Sequence, residues 1–236
     1  MQEFLKFFGH GFCHQIPART FEAGGYLFSA CARDTGIYLG FFFSIIAAFI
    51  VYLSAKKKPG ELPPLRYLLF LILLVLPFAA DGVTSYLSLR ATTNTIRYIT
   101  GYLAGIAMGS LIVPLLFAIR KDSDTGQRVF AQKKTVVIHL SLCFVAGLAF
   151  LFFYPMLGLA SPLFAVLAFL SIPFSINLIL LTLSRRFFPL HTVSHWMILT
   201  VICLGLTIFE VSVLGLLRDW VVQTLLNGSD LPGILS

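Results

Sequence analysis

Charge is what this sequence has least of. Only 11% of its 236 residues are charged, against about 25% in an ordinary soluble domain. Hydrophobic residues make up 58%, and the mean hydropathy is +0.92. A water-soluble fold cannot hide that much apolar surface, which excludes an ordinary globular domain. Also absent are a GxxxxGK[ST] phosphate loop, a GxSxG nucleophile turn and a basic patch interleaved with aromatics. These absences argue against nucleotide-driven pumping and nucleic-acid binding. The net charge of +7 does not reverse this, because the basic residues sit in short loops beside apolar segments. The first apolar run lies too far from Met1, behind polar residues, to read as a cleaved signal peptide, so the N-terminal segment is expected to be retained.

Apolar stretches of roughly 18–24 residues recur, long enough to cross a ~30 Å hydrocarbon core as helices. The pattern predicts an all-α, polytopic bundle of about six transmembrane helices in one membrane domain, 1–236. Segment one runs from about Gly36 to Leu53 and stops at Lys56, Lys57, Lys58 and Pro59-Gly60. Segment two covers Leu65 to about Asp81, and segment three Tyr98 to Ile119 after a polar stretch. Segment four spans Thr135 to Tyr154. Pro155, Gly158 and Pro162 separate it from segment five, which ends near Leu183. Segment six covers Trp196 to Leu217, its end marked by Arg218 and Asp219. The organisation is therefore an interfacial Cys/His segment (1–35), helices one to three (36–120), helices four to six (135–217) and a tail (218–236).

Basic residues orient this bundle. The loop from Lys56 to Arg66, the loop from Arg120 to Lys134 and the Arg185-Arg186 pair fall on alternate turns, hence on one side, expected to be cytoplasmic. The chain is thus expected in the cell (inner or plasma) membrane as a multi-pass protein. Its N-terminal segment, the 81–97 loop and the 155–162 turn would share the extracytoplasmic face. A weak internal echo links two helices that enter from that face: Arg33-Asp-Thr-Gly36-x-x-x-Gly40 and Arg97-x-x-Thr-Gly101-x-x-x-Gly105. Together with Gly109 these glycines read first as helix-packing positions.

The residues with distinctive chemistry cluster before helix one, in HGFCHQIPARTFEAGGYLFSACARDTGIYLG. Cys13, His14, Cys31 and Asp34 offer thiolate, imidazole and carboxylate, the ligand types of zinc or another divalent metal. Two other readings stand beside this one. Cys13 and Cys31 are placed to close a disulfide if the face is oxidising, or to pack as free thiols. Cys143 and Cys203, within helices, read as packing residues.

Four blocks of this sequence carry a family resemblance. Cys13-His14-Gln15-Ile16-Pro17-Ala18-Arg19-Thr20-Phe21 is similar to a Cys-His-Gln-x-Pro-x-Arg-Ser/Thr-Phe opening, and Cys31-Ala-Arg33-Asp34-Thr35-Gly36-Ile-Tyr38-Leu-Gly40 to a Cys-x-Arg-Cys-Thr-Gly-x-Tyr-x-Gly block. Asp81-Gly82 and Thr93-Asn94-Thr-Ile-Arg97-Tyr-Ile-Thr100-Gly101 complete the set. Over residues 10 to 120 the chain resembles a family of bacterial and archaeal predicted membrane proteins known as a domain of unknown function. The resemblance implies an integral membrane protein and strengthens the site without naming a reaction. Where the family has the second cysteine of its Cys-x-Arg-Cys block, this chain has Asp34, which can replace a thiolate at zinc but cannot form a disulfide.

Arg19, Arg33, Arg90 and Arg97 lie at the same interface, beside helices opened by Thr35-Gly36 and Thr100-Gly101, and helix starts favour phosphates. With a metal, such a mouth suits an anionic lipid head group or a polyprenyl phosphate, with Arg19, Arg33, Arg97 and Asn94 as binding residues. The alternative is that the arginines simply pair with Asp34, Asp81, Glu22 and bulk lipid. Glu210, inside segment six, needs a partner, expected from Arg97 or Arg33, or a raised pKa; it and Asp81 are the candidates for proton handling. Asn177 reads as an interhelical hydrogen-bonding residue. His191 and His195, at i and i+4, share a helix face without the Glu of an H-E-x-x-H pattern, and His139 has no visible partner set. Membrane lipid is the expected partner, and a second copy of the chain is the candidate for assembly; neither nucleic acid nor nucleotide is expected. The leading reading is a metal-dependent membrane enzyme. Its alternatives are a small-solute or ion transporter or channel with a structural N-terminal plug, and a redox or scaffold subunit that works with a partner.

Overall fold

The computed structural model describes residues 1–55, 59–119, 124–184 and 193–226. Among them, six helices are long and apolar enough to cross a membrane. These are α2 (Ala32–Leu53), α3 (Leu65–Tyr86), α4 (Asn94–Ile119), α5 (Lys133–Phe153), α6 (Ala160–Leu183) and α7 (Val193–Leu226). With lipid on all sides the chain must satisfy its backbone internally, which helices do. The expected all-α membrane bundle is therefore the fold. Many large side chains on α3, α5 and α7, such as Leu69, Val145 and Phe209, remain exposed on its outside, where hydrocarbon rather than water is their solvent.

The centre of the bundle is the α2–α4 pair, and the two glycine echoes meet there. Gly36 and Gly40 lie against the carbonyls of Tyr98 and Tyr102, and Gly101 and Gly105 lie against those of Arg33 and Ile37. A Cβ at any of the four would run into a backbone oxygen, so the small residues are what allow the helices to touch. From α4, the Tyr98 and Tyr102 hydroxyls donate to the Gly147 and Cys143 carbonyls of α5 at 3.1 and 2.6 Å.

Two boundaries differ from expectation. The 81–97 stretch is not an open polar loop: α3 continues to Tyr86 and α4 begins at Asn94, where the Thr93 hydroxyl caps it by accepting the Ile96 N–H at 3.3 Å. Asp81 is carried inside a helix because distant partners, described below, satisfy it. Likewise α7 does not stop at Arg218-Asp219 but continues to Leu226, since both residues are engaged by the N-terminal segment.

That segment is more ordered than the sequence pattern predicts. A short helix, α1 (Gln2–His10), precedes a turn at Pro17–Arg19 and an antiparallel hairpin, β1 (Thr20–Ala23) and β2 (Tyr26–Cys31). Gly24 and Gly25, both at positive φ, make the two-residue turn between them. Glutamine amides sew these pieces together. Gln2 both donates to and accepts from the Leu27 backbone; Gln15 donates to the Lys6 carbonyl at 2.7 Å and the Ser29 carbonyl at 2.9 Å. Phe21 then packs on Tyr154 and Tyr98, with ring centroids 4.9 and 5.9 Å apart, fixing the hairpin on the bundle.

At the opposite end, β3 (Pro59–Glu61) pairs in parallel with β4 (Asp124–Arg128), closed by an Arg128–Glu61 ion pair. Just inside this end His139 is fully buried, and it does have partners: the Tyr67 hydroxyl at 3.3 Å on Nδ1 and Ser44 Oγ at 3.2 Å on Nε2, with Ser110 Oγ 3.1 Å from Ser44 Oγ. Every member of this knot comes from a different helix, so no local pattern announces it.

Candidate functional site

Cys31 ends β2 and is the N-cap of α2, which puts Asp34 in that helix's first turn. Cys13 follows α1, its N–H bonded to the Gly9 carbonyl at 2.9 Å. The hairpin returns the chain so that the Cys31 N–H donates to Cys13 Sγ at 3.2 Å. The result is one group: Cys13 Sγ, Cys31 Sγ and an Asp34 carboxylate oxygen all lie within 4.8 Å of one another. Cys13 is buried, whereas Cys31 and Asp34 are half-buried, so the group opens at one edge. The Cys31 thiol donating to Cys13 holds the Cys13 thiol below its ordinary range, against the opposing effect of burial. Cys31, as that donor, partly desolvated and beside the Asp34 carboxylate, is pushed upward. Cys13 is thus the more acidic of the two, and neither cysteine is in a disulfide here.

His14 does not join them. It is exposed and outside the group, because consecutive residues entering the left-handed turn at Gln15 (φ 53°) send their side chains in different directions. The expected four-ligand set is therefore three. The donor types are ones that zinc accepts, and the three lie close together.

Beside this group lies a cluster of guanidiniums. Arg33 Nη2 donates to Asp81 Oδ2 at 2.5 Å, while Arg90 Nη2 and Thr92 Oγ1 reach Asp81 Oδ1 at 2.7 and 2.8 Å. Asp81 is 2% exposed. Its two oxygens accept three hydrogen bonds and so fix two arginines. Arg33 Nε is buried without a hydrogen bond. Arg97, half-buried, lies within electrostatic range of Arg19, Arg33, Cys31 and Asp81. Neither Arg19 nor Arg97 has a hydrogen-bonded or ion-paired acceptor among the described residues. Asn94 donates to the Ala18 and Thr20 carbonyls at 3.4 and 3.5 Å, which fastens the Arg19 turn to the start of α4.

Arg218 was missed as a site neighbour because it lies 205 residues from Cys13. Its Nη1 donates to the Cys13 carbonyl at 2.8 Å and to that of His10, and His10 Nε2 meets Asp219 Oδ1 at 2.6 Å. An Arg-Asp pair continuing an apolar helix, with a His upstream, is the faint signal it left. Glu210 belongs elsewhere: its partner is Asn177, whose Nδ2 donates to Oε2 at 3.1 Å and also approaches Thr207 Oγ1 at 3.4 Å. Asn177 is thus the interhelical bridge expected of it, between α6 and α7, and Glu210 is not paired with Arg97 or Arg33. His191 and the side chain of His195 lie outside the described residues.

Residues 13–111 match a family described as predicted membrane protein, DUF2085. An uncharacterized protein of Methanocaldococcus jannaschii is 36% identical over 105 residues, which are 44% of this chain and 64% of that protein. An uncharacterized protein of Methanothermobacter thermautotrophicus is 37% identical over 103 residues, 42% of this chain and 82% of that protein. No solved structure matches.

Proposed function

We propose that this chain, which belongs to the family of predicted membrane proteins matched over residues 13–111, holds a divalent metal, zinc by the chemistry of its donors, on Cys13, Cys31 and Asp34, and binds an anionic lipid head group or polyprenyl phosphate beside it. The observation that carries this reading is the convergence of three donor atoms within 4.8 Å within electrostatic range of half-buried Arg97, which has no ion-paired acid among the described residues. When bound, a divalent metal with three protein ligands supplies Lewis-acid polarisation and an activated water.

The chain's own residues do the rest. Asp81 holds Arg33 and Arg90 as a fixed pair of guanidiniums. Arg97 and Arg19 have no ion-paired acid among the described residues, and a phosphate, with several acceptor oxygens, satisfies such a grouping through charge-assisted hydrogen bonds. Arg218 keeps the Cys13 segment docked on α7 through two backbone carbonyls. Glu210 accepts from Asn177 between α6 and α7. In this reading the loop charges put the site on the extracytoplasmic face.

Metal analysis of the purified full chain tests the proposal. About one divalent ion per chain is expected, falling to background in Cys13→Ala and Cys31→Ala while helical content and thermal stability persist. Metal content unchanged by either substitution, or a Cys13–Cys31 disulfide in place of metal, would sink the metal reading. Arg97→Gln is expected to weaken retention of a polyprenyl phosphate about tenfold or more with metal content intact; equal retention would remove the anion arm.

A further inference from the structure

We infer that a second lipid site lies at the opposite membrane face, where Arg66 and Lys133 hold the head group of an anionic glycerophospholipid between α3 and α5. A cavity of about 330 Å³ opens there, lined by Arg66, Tyr67 and Phe70 of α3, by Phe130 before α5, and by Lys133 and Val137 of α5. That volume is in the range of small-ligand pockets. Its floor is rigid: the Tyr67 ring stacks on Phe130 at 4.6 Å and the Tyr67 hydroxyl is tied to buried His139. Its rim is cationic and incompletely used. Arg66 spends one donor on the Ala131 carbonyl, leaving the remaining N–H groups of its guanidinium, and Lys133 has no hydrogen-bonded or ion-paired partner among the described residues. The neighbouring Arg128 does not compete, since Glu61 neutralises it at 3.0 Å. Among the described residues no carboxylate lines the cavity.

Two features select a lipid over a soluble anion. Apart from its two cations the wall is aromatic and aliphatic, a poor container for a hydrated ion. Below it α3 and α5 do not pack along each other, and Leu69, Leu73 and Val137 stand exposed on the two helices, apolar surface on which an acyl chain can lie. The site is distinct from the cysteine group at the other end of the bundle and does not depend on it.

Native mass spectrometry of the full chain in detergent, titrated with dioleoylphosphatidylglycerol or dioleoylphosphatidylcholine, tests this. The wild type is expected to retain phosphatidylglycerol preferentially. Each basic group beside an anionic head contributes about a factor of five, so the preference is expected to fall about fivefold in Lys133→Gln and about thirtyfold in R66Q/K133Q. Lys133 makes no hydrogen bond or ion pair among the described residues, so its variant controls for unfolding, and R66K/K133R is expected to keep the preference. Phosphatidylcholine held as well as phosphatidylglycerol, an unchanged preference in R66Q/K133Q, or its loss in R66K/K133R would overturn the inference. Displacement of the lipid by millimolar inorganic phosphate would overturn it too, marking the cavity as a soluble-anion site.

Discussion

Replacing Asp81 by Asn keeps the shape of the side chain and removes its charge, which isolates what the carboxylate does. Three groups donate to it, and they differ in what they lose. Thr92 can still donate to the Asn carbonyl, so its neutral bond, worth about 1 kcal/mol, survives. Arg90 has a side chain 49% exposed and can turn to solvent, losing about 0–1 kcal/mol as exposed pairs do. Arg33 cannot: its side chain is 22% exposed, its partner carboxylate 1%, and its Nε already lacks a hydrogen bond. Removing one partner of a buried pair costs about 3–5 kcal/mol, and the residual exposure of Arg33 places this pair at the lower end. The expected destabilisation of Asp81→Asn is therefore about 3–4 kcal/mol, measured by reversible unfolding in mixed micelles, with Arg90→Gln costing about 1 kcal/mol or less. A double-mutant cycle with Arg33→Met should return most of the loss as coupling. If Asp81→Asn lies within about 1 kcal/mol of wild type, or Arg90→Gln costs as much, the idea that Asp81 anchors a buried Arg33 is wrong.

Two further outcomes follow from the same geometry. In metal-stripped protein, thiolate absorbance near 240 nm should show Cys13 titrating below the ordinary thiol range of about 8.5. Cys31→Ala should move it upward, and an unchanged midpoint would mean the Cys31 hydrogen bond is not the cause. The sign of the linkage is fixed by direction: the depressed Cys13 contributes stability present above the unfolded thiol pKa and lost as pH falls through the folded one. The elevated Cys31 contributes stability present below the unfolded value and lost as pH rises through the folded one. For packing, Gly101→Ala should cost about 1–3 kcal/mol or more because its methyl meets the Arg33 carbonyl. Gly205→Ala, with open space around it, should be neutral to slightly stabilising, and equal effects at the two positions would refute the α2–α4 contact.

The spans were legible because hydrocarbon thickness imposes a length on any apolar run, and the small-residue spacing of Gly36, Gly40, Gly101 and Gly105 was legible as packing. What could not be read was which helices those glycines joined, since the partner of each is a carbonyl more than sixty residues away. Within the site, Cys13, Cys31 and Asp34 were legible as donors by type. His14 was misplaced alongside them because composition counts a side chain without its direction, and the left-handed turn at Gln15 sets that direction. Charges misled at helix ends for one reason: a polar residue ends a span only when it has no partner. Asp81 has Arg33, Arg90 and Thr92; Arg218 has the His10 and Cys13 carbonyls. The short helix α1 left a trace in Phe4, Leu5, Phe7 and Phe8, a helical spacing too brief to register beside six long spans.

The α2–α4 contact is made of backbone, glycine against carbonyl, and this limits how the two helices can move. Side chains yield by changing rotamer; a carbonyl seated over a glycine has nothing to rotate. Any small slide brings a carbonyl against a Cβ, and the next position at which glycine again faces carbonyl is four residues on, about 6 Å along the axis. The seam therefore behaves as a ratchet with one tooth per glycine. Arg97 rides on one side of it, and Cys31 and Asp34 ride on the other. The separation of the Cys31 thiol and the Asp34 carboxylate from the Arg97 guanidinium is thus set by backbone contacts rather than by rotamers.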